Sequence, residues 1–179
     1  MTGEFVVRDA VPNDADDIAT VHVASWQVAY DHIFPAEALA RLDGTADRRA
    51  AFWRGEVEAR VPLSSTLVAE SDDGIAGFVD VRPSRDDDAE PERTAELTAI
   101  YVAPRAWGVG AGRLLMAEAL ERLRRLGFEE ATLWVLEDNP RARRFYEITG
   151  WQNDGSVKEE EFLGTTVREI RYRRSLGSG

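Results

Sequence analysis

Trp107-Gly108-Val109-Gly110-Ala111-Gly112-Arg113 stands between two patterned runs. Upstream, Glu96 to Val102 is apolar and β-branched, and Pro104 ends it as a strand. Downstream, Met116, Leu120 and Leu123 share one helical face, with Glu121, Arg122, Arg124 and Arg125 largely off it, until Gly127 stops the helix. Glycines at such a strand-to-helix junction let backbone approach a ligand closely. The unpaired N–H groups of the first helical turn, at the positive end of the helix dipole, make a nest for a pyrophosphate that needs no lysine. A dinucleotide fingerprint would require glycine at position 113, which is arginine, and a P-loop would require Gly-Lys-Ser/Thr, which is absent. A tight turn with no ligand remains the plain alternative at this point.

Toward the N-terminus, Phe5 and Val7 alternate weakly with Glu4, Val6 and Arg8 as a short first strand. Asn13 or Asp14 supplies an N-cap for a helix carrying Ile18, Val21, Ser25 and Val28 at helical spacing. Pro35 opens a short helical piece around Ala38 to Leu42, and a third helix from Ala46 to about Arg60 carries Phe52, Trp53 and Val57 before Pro62. Thr66 to Glu70 and Gly74 to Val81 form a hairpin marked by Asp73-Gly74. Ser84 to Thr94 is acidic and proline-bearing, which predicts a solvated loop, or else a mobile flap over a cationic substrate. C-terminal to the turn come a strand at Ala131 to Leu136, a helix from Asn139 closed by Gly150, and strands near Val157 to Leu163 and Val167 to Arg173. The sum is an α/β domain of about seven strands over residues 1–176, followed by a flexible tail at 177–179.

A length of 179 residues suits one domain with a sizeable core. The absence of cysteine excludes a disulfide framework, a thiolate nucleophile and a cysteine zinc site. His22, His32 and Asp31 match no usual ligand spacing, so no metal is expected. A net charge of −11, from 33 acidic and 22 basic residues, argues against nucleic acid and favours a cationic small molecule or peptide as partner. Lys158 is the sole lysine; a surface of Asp, Glu and Arg suits a high-salt cytoplasm, that of a halophile, although a GC-rich genome would also explain the arginines. The first residues lack a basic stretch followed by an apolar run, and no segment approaches about 18 apolar residues, which predicts a cytoplasmic protein with no membrane partner.

Glu96-Leu97-Thr98-Ala99-Ile100-Tyr101-Val102-Ala103-Pro104, the glycine turn, and Glu137-Asp138-Asn139-Pro140-Arg141-Ala142-Arg143-Arg144-Phe145-Tyr146-Glu147 running into Gly150-Trp151 together resemble the GCN5-related N-acetyltransferase (GNAT) superfamily. The resemblance implies a mixed, mostly antiparallel sheet whose fourth and fifth strands splay apart to hold acetyl-CoA as co-substrate. It further implies that the backbone of Ile100, Tyr101 and Val102 pairs with the pantetheine arm, and that the amides of Gly108, Val109, Gly110, Ala111, Gly112 and Arg113 take the pyrophosphate. Asn139 would bind on the pantetheine side with Ala142 beside it, and Tyr146 would sit at the thioester sulfur. The family usually has Gln or Arg where this chain has Trp107.

Acyl transfer to an amine needs a neutral amine, a stabilised oxyanion and a proton for the departing thiolate. An alkylammonium of pKa about 10.4 is mostly protonated at neutral pH, so a carboxylate should take its proton through a water, as a general base. Glu96 is the first candidate, against the plain alternative of a solvated charge or a partner for an arginine. Adjacent helical positions differ by about 100°, so Phe145 and Tyr146 are expected not to share one core. Tyr146, a phenol of pKa about 10, can then protonate a thiolate of pKa about 8.5; its alternative is a core tyrosine. His22, Trp26 and Tyr30 form an aromatic stripe that, with Asp31, could hold the acceptor ammonium, or could be a second buried helix face. The expected activity is acetyl transfer to a primary amine, on a small molecule or a peptide N-terminus, by direct attack in a ternary complex. A non-catalytic acyl-CoA-binding sensor is the alternative, and a homodimer is left open. A hydrolase is disfavoured, because no Gly-x-Ser-x-Gly elbow is present.

Overall fold

The computed structural model describes residues 4–177. In chain order the elements are β1 (Val6–Asp9), α1 (Ala15–Ala29), α2 (Ala36–Ala40), α3 (Ala46–Ala59), β2 (Ser65–Ser71), β3 (Gly74–Pro83), β4 (Thr94–Val102), α4 (Ala111–Arg125), β5 (Glu130–Leu136), α5 (Pro140–Ile148), β6 (Gln152–Phe162) and β7 (Thr165–Ser175). The strands form one sheet in the order β1-β2-β3-β4-β5-β7-β6, antiparallel except between β4 and β5.

Period-2 alternation divides each strand between two cores. On one face Val79, Val81, Leu97, Leu133, Ile170 and Tyr172 meet Leu115, Met116, Ala119 and Leu123 of α4. On the other, Val68, Ile75 and Phe78 meet Ile18 and Val21 of α1 and Trp53 of α3. A third cluster joins Tyr30, Phe34 and Leu39 to Leu136 of β5 and Val167 of β7. The central strand β3 is covered on both sides, so it reads as a near-continuous apolar run.

The sheet departs from regularity at β4. Asp80 of β3 faces Ala99 while the next residue, Val81, faces Leu97, so Thr98 is an extra residue that bulges. Asp80 is buried and pins this bulge, accepting bonds from Thr66 Oγ1 (2.8 Å), Arg82 Nη2 (2.7 Å) and Thr98 Oγ1. The parallel ladder to β5 consists of Thr94–Glu130, Ala95–Ala131 and Glu96–Thr132, after which the two strands part. Six further residues of β4, Leu97 to Val102, therefore present a backbone edge with no strand of the sheet on the β5 side.

Several expectations need correction. Asp14 stands at the α1 N-cap but caps no helical N–H; its carboxylate is held by Arg8 (2.7 and 3.0 Å) and Val11 N–H. Val28 is 47% exposed and is not part of the buried α1 face. β6 and β7 are longer than their apolar centres because the polar residues at their ends still pair in the ladder. Residues 178–179 of the expected tail lie outside the described residues.

The acidic segment after β3 is anchored rather than free in solvent. Ser84 N–H closes it on Thr94 O at 2.8 Å, and Asp86 accepts from Trp134 Nε1 at 2.9 Å. Arg171 of β7, 5% exposed, donates to both Asp88 oxygens (2.7 Å each), to Asp86 (3.1 Å) and to Asp154 (2.7 Å). Hydrogen bonds from Arg171 hold Asp88 down to about 2. A carboxylate held below its unfolded value contributes stability that is present above about pH 4 and is lost as pH falls toward 2. Arg171→Met should lower stability by about 3 kcal/mol at pH 7, measured by urea unfolding, because it leaves three carboxylates facing one another. The gap between wild type and variant should narrow as pH falls from about 4 toward 2. The variant should also be cleaved faster within the segment at residues 84–93.

Candidate active site

The turn between β4 and α4 is built by conformation. Gly108 and Gly110 have φ of 78° and 102°, values that side chains strain to adopt, and nothing lies within 4 Å of where their Cβ atoms would stand. Glycine therefore supplies the bend and leaves the space above it open. The first helical bond runs from Leu114 N–H to Gly110 O at 3.0 Å, so the N–H groups of Gly108 to Arg113 have no backbone acceptor among the described residues. They collect at the positive end of a 15-residue helix, an arrangement that holds an anion without a lysine.

A cavity of about 1230 Å³ begins at this turn, follows the free edge of β4, and ends between α1, α3 and the β6–β7 hairpin. It exceeds the roughly 300–1,000 Å³ of common small-molecule sites, leaving room for an extended cofactor and a second reactant. The expected cofactor residues Ile100, Tyr101, Val102, Gly108, Val109, Gly110, Gly112, Arg113, Asn139, Ala142 and Tyr146 all line it. Ala111 does not, since its side chain is buried in the core.

Three placements modify the expected contacts. Val102 O already accepts from Ser25 Oγ (2.9 Å) and Trp107 Nε1 (2.6 Å), so it is not a free strand acceptor. Trp107 thus ties the turn back to β4, and Arg141 of α5 stacks on its ring with the guanidinium carbon 3.5 Å from the centroid. A guanidinium consequently stands beside the turn although position 107 lacks one. Asn139 Oδ1 caps α5 by accepting from Ala142 N–H at 3.1 Å, leaving its Nδ2 for the cavity.

Tyr146 is 8% exposed and lies with Trp151 and Tyr172 in the α4-side core, and Phe145 packs against that same core, contrary to expectation. Tyr146 leans over its neighbour, ring centroids 5.7 Å apart, and still borders the cavity. Burial, then the neighbouring Tyr101, pushes its phenol well above the usual range, so it is a donor at neutral pH. Burial raises Tyr30 and Tyr101 likewise, and all three phenols border one cavity.

In the aromatic stripe, His22 is stacked on Tyr101 at 4.7 Å and packed by Trp26, Trp53 and Phe78. Burial, and then the charge of Arg49, lower it to about 3, so it is neutral and far too weak a base for this site. The cation over Trp26 is the protein's own Arg49, at 5.5 Å. Asp31 lies apart from the cavity: its side chain is 72% exposed and faces His32 at 3.5 Å.

Glu96 borders the cavity where β4 still pairs with β5, and its carboxylate is 3.4 Å from Arg85 Nε. Across the cavity stand Glu160 and Glu169, with Lys158 Nζ 3.0 and 3.1 Å from them and 4.6 Å from the Trp134 centroid. Burial raises Glu169 against the opposing pull of Lys158. Sequence reasoning missed Glu160, Glu169, Lys158, Trp134 and Arg49. Residues 158, 160 and 162 share a face by strand alternation, but nothing in that alternation says which face meets the cleft. Among the described residues no group of three or more His, Cys, Asp or Glu is arranged to hold a metal ion, and no helix is long and apolar enough to cross a membrane.

The Acetyltransferase (GNAT) family model matches residues 24–151. The uncharacterized N-acetyltransferase YuaI of Bacillus subtilis (strain 168) is 34% identical over 167 residues, 92% of this chain and 89% of that protein. A mycothiol acetyltransferase of Frankia casuarinae is 35% identical over 152 residues, 81% of this chain but 40% of its own length. In fold, the chain resembles the PaiA N-acetyltransferase of Thermoplasma acidophilum, solved in complex with coenzyme A (TM-score 0.74, 18% identity, 96% and 99% of the two chains). It also resembles YncA of Salmonella typhimurium, a putative acetyltransferase solved with acetyl-CoA (TM-score 0.69, 20% identity, 98% and 95% covered). With its parted parallel strands and unpaired amide turn in the matched segment, the chain belongs to the Acetyltransferase (GNAT) family.

Proposed function

We propose that this protein transfers an acetyl group from acetyl-CoA to a primary amine by direct attack, with both substrates bound together. The observation that carries the proposal is one continuous cavity, with unpaired amides at one end, a free strand edge in the middle and carboxylates with phenols at the other. The residues present fit acetyl-CoA: the amides of Gly108 to Arg113 would receive the pyrophosphate, with Arg113 and Arg141 beside them. The edge at Ile100 would accept the pantetheine arm as an added strand, and Asn139 Nδ2 would bond to it.

When bound, acetyl-CoA supplies the thioester: a C–N bond forms to the amine as the C–S bond breaks. Glu96 would take one proton from the incoming ammonium, directly or through water, and pass it to solvent; Glu169, across the cavity, would face the same ammonium. The second nitrogen proton, lost after attack, would end on the departing sulfur, and Tyr146, a protonated phenol bordering the cavity, would mediate that delivery. Protonated phenols donate and cannot compete as anions, which suits a site where negative charge develops on oxygen and then sulfur.

Acetyl-CoA at about 100 times its Kd should stabilise the protein by about 2.7 kcal/mol, raising the melting temperature. No rise at any concentration would sink the acetyl-CoA assignment. Tyr146→Phe should keep that rise while lowering kcat for thiol release about 100-fold; unchanged turnover would remove Tyr146 from the chemistry. Glu96→Gln should also lower kcat, and a change confined to the acceptor KM would move proton acceptance elsewhere.

A further inference from the structure

Charged side chains of the cavity fall into two groups. In the acceptor half Arg82 is paired with Asp80 (2.7 Å) and Glu56 (2.6 Å), Arg85 with Glu96, and Lys158 with Glu160 and Glu169. Arg49 of α3 is the exception, forming no ion pair among the described residues although the chain carries 33 acidic residues against 22 basic ones. It is half-buried beside Trp26, and burial holds it below the usual guanidinium range, where it is still a cation.

Its donors are largely unspent. Nε donates to Thr45 Oγ1 at 3.0 Å. Nη1 lies 3.4 Å from His22 Nε2, while Trp53 Nε1 lies 3.4 Å from Nδ1 of the same ring. A neutral imidazole has one acceptor nitrogen, so only one of these two donors can be satisfied. At least three of the four Nη hydrogens therefore have no acceptor among the described residues, on a side chain that lines the cavity. A desolvated guanidinium with a free planar fork is built for a planar anion, and a carboxylate fits it with two parallel bonds. Cofactor phosphates have their own site at the glycine turn, so the anion at Arg49 belongs to the acceptor.

We propose that Arg49 anchors a carboxylate on the acceptor, which makes the acceptor an amino acid or similar amino carboxylate rather than a simple amine or polyamine. This rests on the transfer reaction proposed above. Its amine would lie toward Tyr146 and Glu169 while its carboxylate lies in the fork. Arg49 is thus a specificity-determining residue and takes no part in bond making.

The test uses matched acceptors that differ by one carboxylate: lysine against cadaverine, and 4-aminobutyrate against propylamine, followed by free-thiol release. Wild type should favour the carboxylate member by about tenfold or more in kcat/KM, and Arg49→Met should bring that ratio close to one through the acceptor KM, with the acetyl-CoA KM retained. Arg49→Lys keeps the charge without the fork and should retain part of the preference, which separates loss of anion binding from loss of fold. Equal or better use of the decarboxylated amines by wild type, release with no carboxylate acceptor, or equal losses on both members in Arg49→Met would each overturn the inference. Turnover on simple amines alone would leave the transferase standing, whereas absence of an acetyl-CoA melting shift would remove the transferase itself.

Discussion

Three parallel residue pairs join β4 to β5, and the site depends on the ladder ending there. The bulge at Thr98 re-aims β4 just beyond the last pair, and buried Asp80 holds it with bonds from Thr66, Thr98 and Arg82. An unpaired strand edge inside a protein is costly unless something bonds to it, because each buried N–H and C=O left alone loses about the worth of a hydrogen bond or more. Here the edge borders a large cavity, so water or a ligand's amides meet that demand. Glycine conformation at positions 108 and 110 then aims a second set of free amides into the same space. The proposed cofactor site would thus be mostly backbone, positioned by a sheet and a helix that are both covered by core.

Electrostatics on the rest of the chain follow from its acidity. Arginines serve as fasteners: Arg171 gathers Asp86, Asp88 and Asp154, Arg8 joins Asp14 to Glu70, and Arg122 joins Asp9 to Ser65. Exposed pairs of this kind contribute little singly. Arg171 differs because it is nearly buried and ties β7, β6 and the segment after β3 to one another. Against that background the cavity's cations with no ion pair among the described residues stand out by position: Arg113 and Arg141 at the turn, Arg49 among the aromatics.

The glycine turn, the strand before it and the helix after it were legible from residue pattern, because backbone conformation and helix polarity leave a local signature. So were the seven strands and the start of α5 at Asn139. What sequence could not show was anything set by which face of an element meets which neighbour. Phe145 and Tyr146 reach one core because α5 lies along its rim, and one ring tilts onto the other. Val28 falls on the helical face by spacing, yet it is exposed, and at this end of α1 it is Trp26, Ala29 and Tyr30 that pack into the third cluster. The acceptor wall was the least legible part: Glu160 and Glu169 come from β6 and β7, Trp134 from β5 and Arg49 from α3, four elements that only the fold brings together. Arg49 in particular sits between the core positions Ala50 and Trp53 and the exposed helix surface, and its want of a partner is a property of three-dimensional surroundings alone.

Free backbone amides, rather than lysines or arginines, would form the primary site for the cofactor's pyrophosphate. Titrating ¹⁵N-labelled protein with acetyl-CoA and following the amide resonances tests it most directly. The largest shifts, and the largest slowing of amide hydrogen exchange, should fall on Gly108 to Arg113, with smaller shifts along Leu97 to Val102. Shifts concentrated on α1 and α3 with Gly108 to Arg113 unmoved would contradict it.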